Sequence, residues 1–365
     1  MTPVPTAGAG PLAEALARAA TDPAGLTDAE AVALLGASGP ELDRLTALAD
    51  ARRATTVGDR LGFVVNRNLH TATALADPDR TRALVAEAHA LGATEICVQG
   101  PLPAGVGGAE LEALVVLVTT AAPVHLHAFR PAEIADAAAR DGIAVGDLLG
   151  RLRAAGLGSV PGTGALVLDD GVRAALTGPG DPAAPTSAAP TSAAPTSAAA
   201  WLATVEAAHR HGLPSTATLV HGHVETPAHV VAHLRALTVL QERTGGFTEF
   251  IAMPYTPGLH GPARLARPRD EREVRAVHAV ARLLLTGRID HVQAAWPKLG
   301  LPLAEVALRS GADDVGGLLV DGLLDPAAGA EAGRRLSRAD VAALADRLGR
   351  PPRERSTTYG RHRPA

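Results

Sequence analysis

The feature that most limits the folds open to this chain is a strand-then-helix rhythm running from about residue 60 to residue 296. Short apolar runs recur at 61–66 (LGFVVN), 94–100 (TEICVQG), 123–129 (PVHLHAF), 157–162 (LGSVPG), 215–223 (STATLVHGH), 248–254 (TEFIAMP) and 290–296 (DHVQAAW). Between them lie amphipathic stretches such as DPDRTRALVAEAHALG, AELEALVVLVTT and TPAHVVAHLRALTVLQERTGG. Their apolar residues fall at three- and four-residue spacing, the period of a helix with one buried face. Several end at glycine, which tolerates the left-handed conformation that closes a helix. Strands alternating with helices predict an α/β fold built on a parallel sheet, a full or partial (β/α) barrel of TIM type. A doubly wound open sheet is the second choice. No GxGxxG follows the first run, which counts against its dinucleotide-binding form.

The flanks read differently. Residues 1–56 form a helical lead-in, with helical spacing in LAEALARAA, TDAEAVALLGA and GPELDRLTALADARRA, and with Thr27 and Glu30 spaced as a capping box. The barrel is expected over 57–320 and a C-terminal extension over 321–365. Inside the barrel region, 179–200 carries AAPTS three times in tandem. Alanine is its only core former and its prolines oppose a helix, so a disordered surface insertion is expected. The extension shows one helical pattern, SRADVAALADRLG, and ends in PPRERSTTYGRHRPA, read as a basic, mobile tail.

Composition removes several classes. The single cysteine, Cys97, excludes a disulfide scaffold and any site that draws three or four thiolates from this chain. Thirty-four basic against 38 acidic residues give a net charge of −4, so no global field attracts nucleic acid or an anionic membrane. No apolar run reaches the length of about 18 residues that marks a membrane span, and no basic region precedes an apolar one at the N-terminus. A cytoplasmic location is expected. Lys298 is the only lysine and aromatics make up 2% of residues, a coding bias rather than a functional mark.

In a (β/α) barrel the chemistry lies at the C-terminal ends of the strands. The polar residues there are Asn66 and Asn68, Gln99, His125 and His127, Gly162 and Thr163, His221, His223 and Glu225, Glu249 and Tyr255, and Gln293, Trp296 and Lys298. Asp313 and Asp314 are further candidates. His125 and His127 are two residues apart, as are His221 and His223, so each pair shares a strand face. The four could hold zinc or iron, with Glu225 completing the shell. Alternatively they hydrogen-bond a ligand or the backbone around a pocket. No GxSxG marks a serine nucleophile. Cys97, inside an apolar run, is expected to face the core. The PGTG turn (161–164) could offer backbone N–H groups to a polar ligand.

Taken in order, VGDRLGFVVNRN (57–68), LGATEICVQG (91–100), VHLHAF (124–129), LRAAGLGSVPGT (152–163), HGLPSTATLVHGHVET (211–226), ERTGGFTEF (242–250), VQAAWPKLG (292–300), GADDVGG (311–317) and PRERSTTYG (352–360) resemble the radical-SAM FO synthase family. The resemblance is to its 4-hydroxyphenyl transferase subunit of deazaflavin coenzyme biosynthesis. Radical-SAM enzymes of the menaquinone futalosine pathway are relatives. The resemblance implies a radical-SAM barrel and transfer of a tyrosine-derived 4-hydroxybenzyl group to 5-amino-6-ribitylaminouracil. It also implies two cofactors, S-adenosylmethionine and a [4Fe–4S] cluster held by a CxxxCxxC loop after the first strand.

This chain departs from that pattern. After VVNRNLHTATALADPDR it passes straight into the next helix, without the cysteine loop. The family's glycine pair after the second strand reads Gly100-Pro101, and proline has no N–H to donate. Leu166 stands where the family has an acid, and His221 where it usually has tyrosine. The resemblance therefore implies a member without the cluster, with S-adenosylmethionine binding left open. The matched positions His125, His127, Gly162, Thr163, His223, Glu225, Glu249, Gln293, Trp296 and Lys298 imply a retained barrel mouth. The expectation is a pseudoenzyme that binds a ligand of ribitylaminouracil or tyrosine type, or a partner FO synthase subunit. A repurposed metal enzyme using His125, His127, His221 and His223, and a paralogue without activity, are the alternatives.

Overall fold

The apolar runs become parallel strands. In a computed structural model of the chain, which describes residues 10–177, 197–320 and 334–360, these are β1 (Leu61–Val64), β2 (Asn66–His70), β3 (Glu95–Gln99), β4 (His125–Ala128), β5 (Ser215–His221), β6 (Phe247–Pro254), β7 (Val292–Ala294), β8 (Asp314–Gly317) and β9 (Pro352–Glu354). β1 and β2 are one strand interrupted at Val65: β1 pairs with β8 and β9, β2 with β3. β3 pairs with β4, and β5, β6, β7 and β8 pair in succession, all parallel. Single bridges from Ser159 to His127 and from Val160 to Ser215 join β4 to β5. Followed from neighbour to neighbour, the pairings return to the β1/β2 strand, as a (β/α) barrel requires.

Two runs fell differently from their sequence expectation. LGSVPG contributes only the bridging residues Ser159 and Val160, because its glycines and proline leave too little strand-forming chain. GADDVGG, with no strand pattern of its own, supplies β8, whose Asp314 accepts from the nearby Gly316 N–H and from Arg355 Nε, 41 residues on, both at 2.6 Å.

Helices cover the outer face. Pro78–Ala90, Gly108–Ala121, Pro131–Asp141, Val145–Ala155, Ala198–Arg210, Pro227–Thr244, Glu271–Leu285 and Leu301–Leu308 lie between the strands. A parallel sheet covered in this way is buried on both faces, and every residue of β5 is buried. Its Ala217 and Leu219 belong to the core under the helices, while Thr216, Thr218 and Val220 face the barrel interior.

The lead-in forms helices Pro11–Thr21, Asp28–Leu35 and Gly39–Val57. Thr27 and Glu30 form a capping box, with Thr27 N–H donating to Glu30 Oε2 at 2.8 Å and Glu30 N–H to Thr27 Oγ1 at 3.3 Å. Arginines of the barrel helices fasten this segment: Arg235 pairs with Asp28 at 2.9 Å, and Arg275 with Asp43 at 2.6 Å.

Most of the AAPTS segment (179–196) lies outside the described residues. Its end is not a loop: Ser197 Oγ accepts from Ala200 N–H at 3.1 Å and caps the helix Ala198–Arg210. The C-terminal expectation also needs correction. After helix Arg338–Leu348, β9 adds to the sheet beside β1, and Arg355 N–H donates to Phe63 O at 2.9 Å. The segment through Tyr359 is ordered because Arg355 and Tyr359 find buried acidic partners, so its basic character binds it to the barrel. Among the described residues no helix is long and apolar enough to cross a membrane.

Candidate functional site

Period-two alternation turns one set of side chains from each strand into the barrel. Asn66, Asn68 and His70 of β2, Glu95, Cys97 and Gln99 of β3, Thr216 and Thr218 of β5, and Glu249, Ile251 and Met253 of β6 line a cavity of about 430 Å³. Its volume suits a small organic ligand. Cys97 thus faces the cavity and not the outer core, since it shares a strand face with Glu95 and Gln99; Ile96 and Val98 face the helices.

The floor is the most polar part. Arg355 donates through Nε to Asp314 Oδ2 at 2.6 Å and through Nη2 to Asp314 Oδ1 at 3.0 Å and Glu249 Oε2 at 3.2 Å. The Tyr359 hydroxyl donates to Glu249 Oε2 at 2.8 Å, and that of Thr357 to Glu95 Oε2 at 2.6 Å. The His291 ring stacks on Tyr359 at 3.6 Å and hydrogen-bonds Asp313 at 2.7 Å. Burial, with help from Asp314 and Glu95, pushes Glu249 up to about 7 against the pull of Arg355 and Tyr359. Two buried carboxylates on one guanidinium, with Glu95 acting on Glu249 as well, cannot all ionise cheaply. Burial raises Tyr359 well above its ordinary value, and the surrounding acids outweigh burial to raise Arg355 as well.

Loops and the start of helix Pro131–Asp141 line the mouth. Gly100 N–H donates to Glu133 Oε1 at 2.8 Å, and Arg130 pairs with the same carboxylate. Burial pushes Glu133 up, against Arg130 and the two backbone N–H groups it accepts. Leu166 lines the cavity with φ +50°, a conformation that side-chain-bearing residues rarely adopt. Gly162 is spent on structure: its N–H donates to Thr216 Oγ1, and its carbonyl accepts from Thr218 Oγ1, both at 2.8 Å. A Cβ there would lie 2.0 Å from Thr216 O, so only glycine permits this approach.

Of the residues singled out from the sequence, Asn66, Asn68, Gln99, His127, Thr163, Glu249, Gln293 and Lys298 line this one cavity. His125, Gly162, His223, Glu225 and Trp296 do not. Trp296 Nε1–H donates to Gly317 O at 2.8 Å. Glu225 accepts from the Gly222 and His223 N–H groups and pairs with Arg267 at 2.7 Å, which fixes the turn after β5.

The four histidines do not converge. His125 Nε2 and His127 Nδ1 both hydrogen-bond Ser159 Oγ, at 2.7 and 2.6 Å. His221 faces Glu273 at 3.5 Å beside a separate small hollow. His223 hydrogen-bonds Val220 O at 3.0 Å and sits 3.2 Å from Glu225. Burial and the charge of Arg355 lower His127 to about 3, so its imidazole is neutral. Among the described residues no three or more His, Cys, Asp or Glu side chains are placed to hold a metal ion, which corrects the metal-ligand reading of these pairs.

Sequence reasoning missed Arg355, Thr357 and Tyr359 as site residues, and Glu95. The period-two face of TEICVQG contains Glu95 and would have found it. Nothing local marks Arg355, because its partners lie 41 and 106 residues away.

A search of protein-family models finds none that matches the chain. The chain is 42% identical to the FO synthase of Mycobacterium leprae over 94% of its own length and 41% of that protein. It is 39% identical to the FO synthase of Streptomyces coelicolor, over 95% and 41%. It therefore spans about two fifths of the FO synthases it matches. The 5-amino-6-(D-ribitylamino)uracil–L-tyrosine 4-hydroxyphenyl transferase of Methanothermobacter thermautotrophicus is 35% identical, over 92% of this chain and 94% of that protein. Among solved structures, methylornithine synthase PylB superposes with a TM-score of 0.66 over 93% of this chain and 97% of that one, at 14% identity. The hydrogenase maturase HydG of Carboxydothermus hydrogenoformans gives 0.70 over 96% and 81%, at 13% identity. These two share the fold. Matched nearly end to end by a relative more than a third identical, the chain belongs to the radical-SAM FO synthase family.

Proposed function

We propose that this chain is a member of its family that binds a small polar ligand in the barrel but does not itself run the radical reaction. One observation carries this reading. β2 ends at His70 and helix Thr71–Ala76 begins at the next residue, leaving no loop between them, and the chain has a single cysteine. The family's [4Fe–4S] cluster needs three thiolates. Cys97 is buried on β3 and can supply at most one, so the residues present do not fit the cluster.

The cavity beneath supports the binding half of the reading. It is lined by Asn66, Asn68, Gln99, Thr216, Thr218 and Gln293, side chains that offer both donors and acceptors. Ligands of ribitylaminouracil or tyrosine type carry matching groups, and the names of the relatives point to them. Titration calorimetry of the purified chain with 5-amino-6-ribitylaminouracil tests this, with S-adenosylmethionine in a parallel run. The expected result is micromolar affinity for the uracil, about −8 kcal/mol. Absence of binding by either compound overturns the binding half. Formation of the coupled product by the chain alone overturns the rest.

A further inference from the structure

The floor of the cavity leaves one buried polar group incomplete. Glu249 is 4% exposed and lines the cavity. Its Oε2 accepts from both the Tyr359 hydroxyl and Arg355 Nη2. Its Oε1 has no hydrogen-bond partner among the described residues and is left to the cavity. Higher on β3, the buried Oε1 of Gln99 also lacks a partner. Unsatisfied groups of this kind, collected in one cavity, mark where a ligand supplies the missing bonds.

The charges around Glu249 decide which bond it offers. Glu95 faces it from β3, Asp314 from β8, and Arg355 and Tyr359 from the C-terminal segment. Arg355 is already engaged by Asp314 through Nε and Nη2. His127 on β4 is neutral, and His291 beside Tyr359 is tied to Asp313. In this setting Glu249 stays protonated up to about pH 7. With Oε2 accepting two hydrogen bonds, the proton belongs on Oε1, where it becomes a donor to the cavity.

We propose that Glu249 is the specificity-determining residue of this cavity, its Oε1–H donating to an uncharged carbonyl oxygen of the ligand while Gln99 Oε1 accepts from an N–H or O–H of the same molecule. The ligand class is a neutral, carbonyl-bearing polar heterocycle. An anionic ligand group would meet Glu95 at the floor, where the Arg355 guanidinium is already engaged by Asp314 and Glu249. A cationic one would call for ionised Glu249 and bind better as the pH rises. The proposal rests on the binding function proposed above.

The test is titration calorimetry of the full chain with 5-amino-6-ribitylaminouracil at pH 6, 7 and 8, on the parent and on Glu249→Gln, with circular dichroism to confirm folding. Affinity of the parent should weaken about tenfold from pH 6 to pH 8, as the neutral acid becomes the minor form. Glu249→Gln keeps a donor and an acceptor at the same place and should bind equally at all three pH values, which a merely structural role would not produce. Parent affinity that is constant, or that strengthens with pH, overturns this proposal alone. No binding by the parent at any pH overturns it together with the function on which it rests.

Discussion

Arg282 and Asp313 show how single buried residues hold this barrel. Arg282 is wholly buried in helix Glu271–Leu285, and its Nη2 donates to Asp313 Oδ1 at 2.6 Å while Nε donates to Gly311 O at 2.6 Å. Asp313 also accepts from Val292 N–H and His291, so burial, which would push its carboxyl up, is outweighed and it stays below the usual carboxylate range. Removing one member of such a pair strands the other charge, at a cost of about 3–5 kcal/mol. Asp313→Asn should lose that much stability in urea denaturation; a loss below about 1 kcal/mol would show that the pair is not the anchor described. Arg355→Met should destabilise by a similar amount near neutral pH. The difference from the parent should shrink toward pH 5, because protonating Glu249 removes part of the repulsion that Arg355 relieved. A difference that grows as the pH falls would contradict this.

Elements place these residues, and they were legible to different degrees. Strands and helices with a strong period, such as β3, β5, β6 and Pro227–Thr244, follow from spacing alone, and period two also tells which side chains look inward. What spacing does not carry is where a chain leaves a strand. His221 and His223 keep the spacing of a ligand pair, yet His223 lies in the turn after β5, where Glu225 and Arg267 direct it away from the cavity. β8 was hidden because Asp and Gly are poor strand formers, and its Asp314 is stabilised by Arg355 across 41 residues. The same long-range pairing made a basic tail into a strand and half the floor. The turn at 161–164 makes a testable element: Gly162→Ala forces a Cβ against Thr216 O. It should cost about 1–3 kcal/mol in thermal or urea melts and weaken ligand binding, since the displaced turn carries Thr163 out of the cavity wall. Parent-like stability and affinity would mean that the turn is free to shift.

At the scale of the whole molecule, the barrel buries several imidazoles in neutral form. Burial lowers His127 and His233 to about 3, and His209, His260 and His278 to about 4. In the unfolded chain each takes up a proton near pH 6.5, whereas in the fold it does so only near 3 to 4. Between those limits the unfolded chain binds more protons, so stability is lost as the pH falls, each group contributing up to about 1.4 kcal/mol per pH unit. The urea midpoint should therefore drop steeply between pH 7 and pH 5. A flat profile over that range would contradict the burial of these rings.

On the proposed function, the whole molecule is a family barrel that keeps a ligand cavity and lacks the cluster site. The most direct test is anaerobic incubation of the purified chain with iron, sulfide, S-adenosylmethionine, a reductant, tyrosine and 5-amino-6-ribitylaminouracil, followed by iron quantification and mass spectrometry of the products. The expected result is no stoichiometric four-iron cluster and no coupled product. Four irons per chain together with product would contradict the claim, and would mean that this barrel assembles its chemistry without the three cysteines.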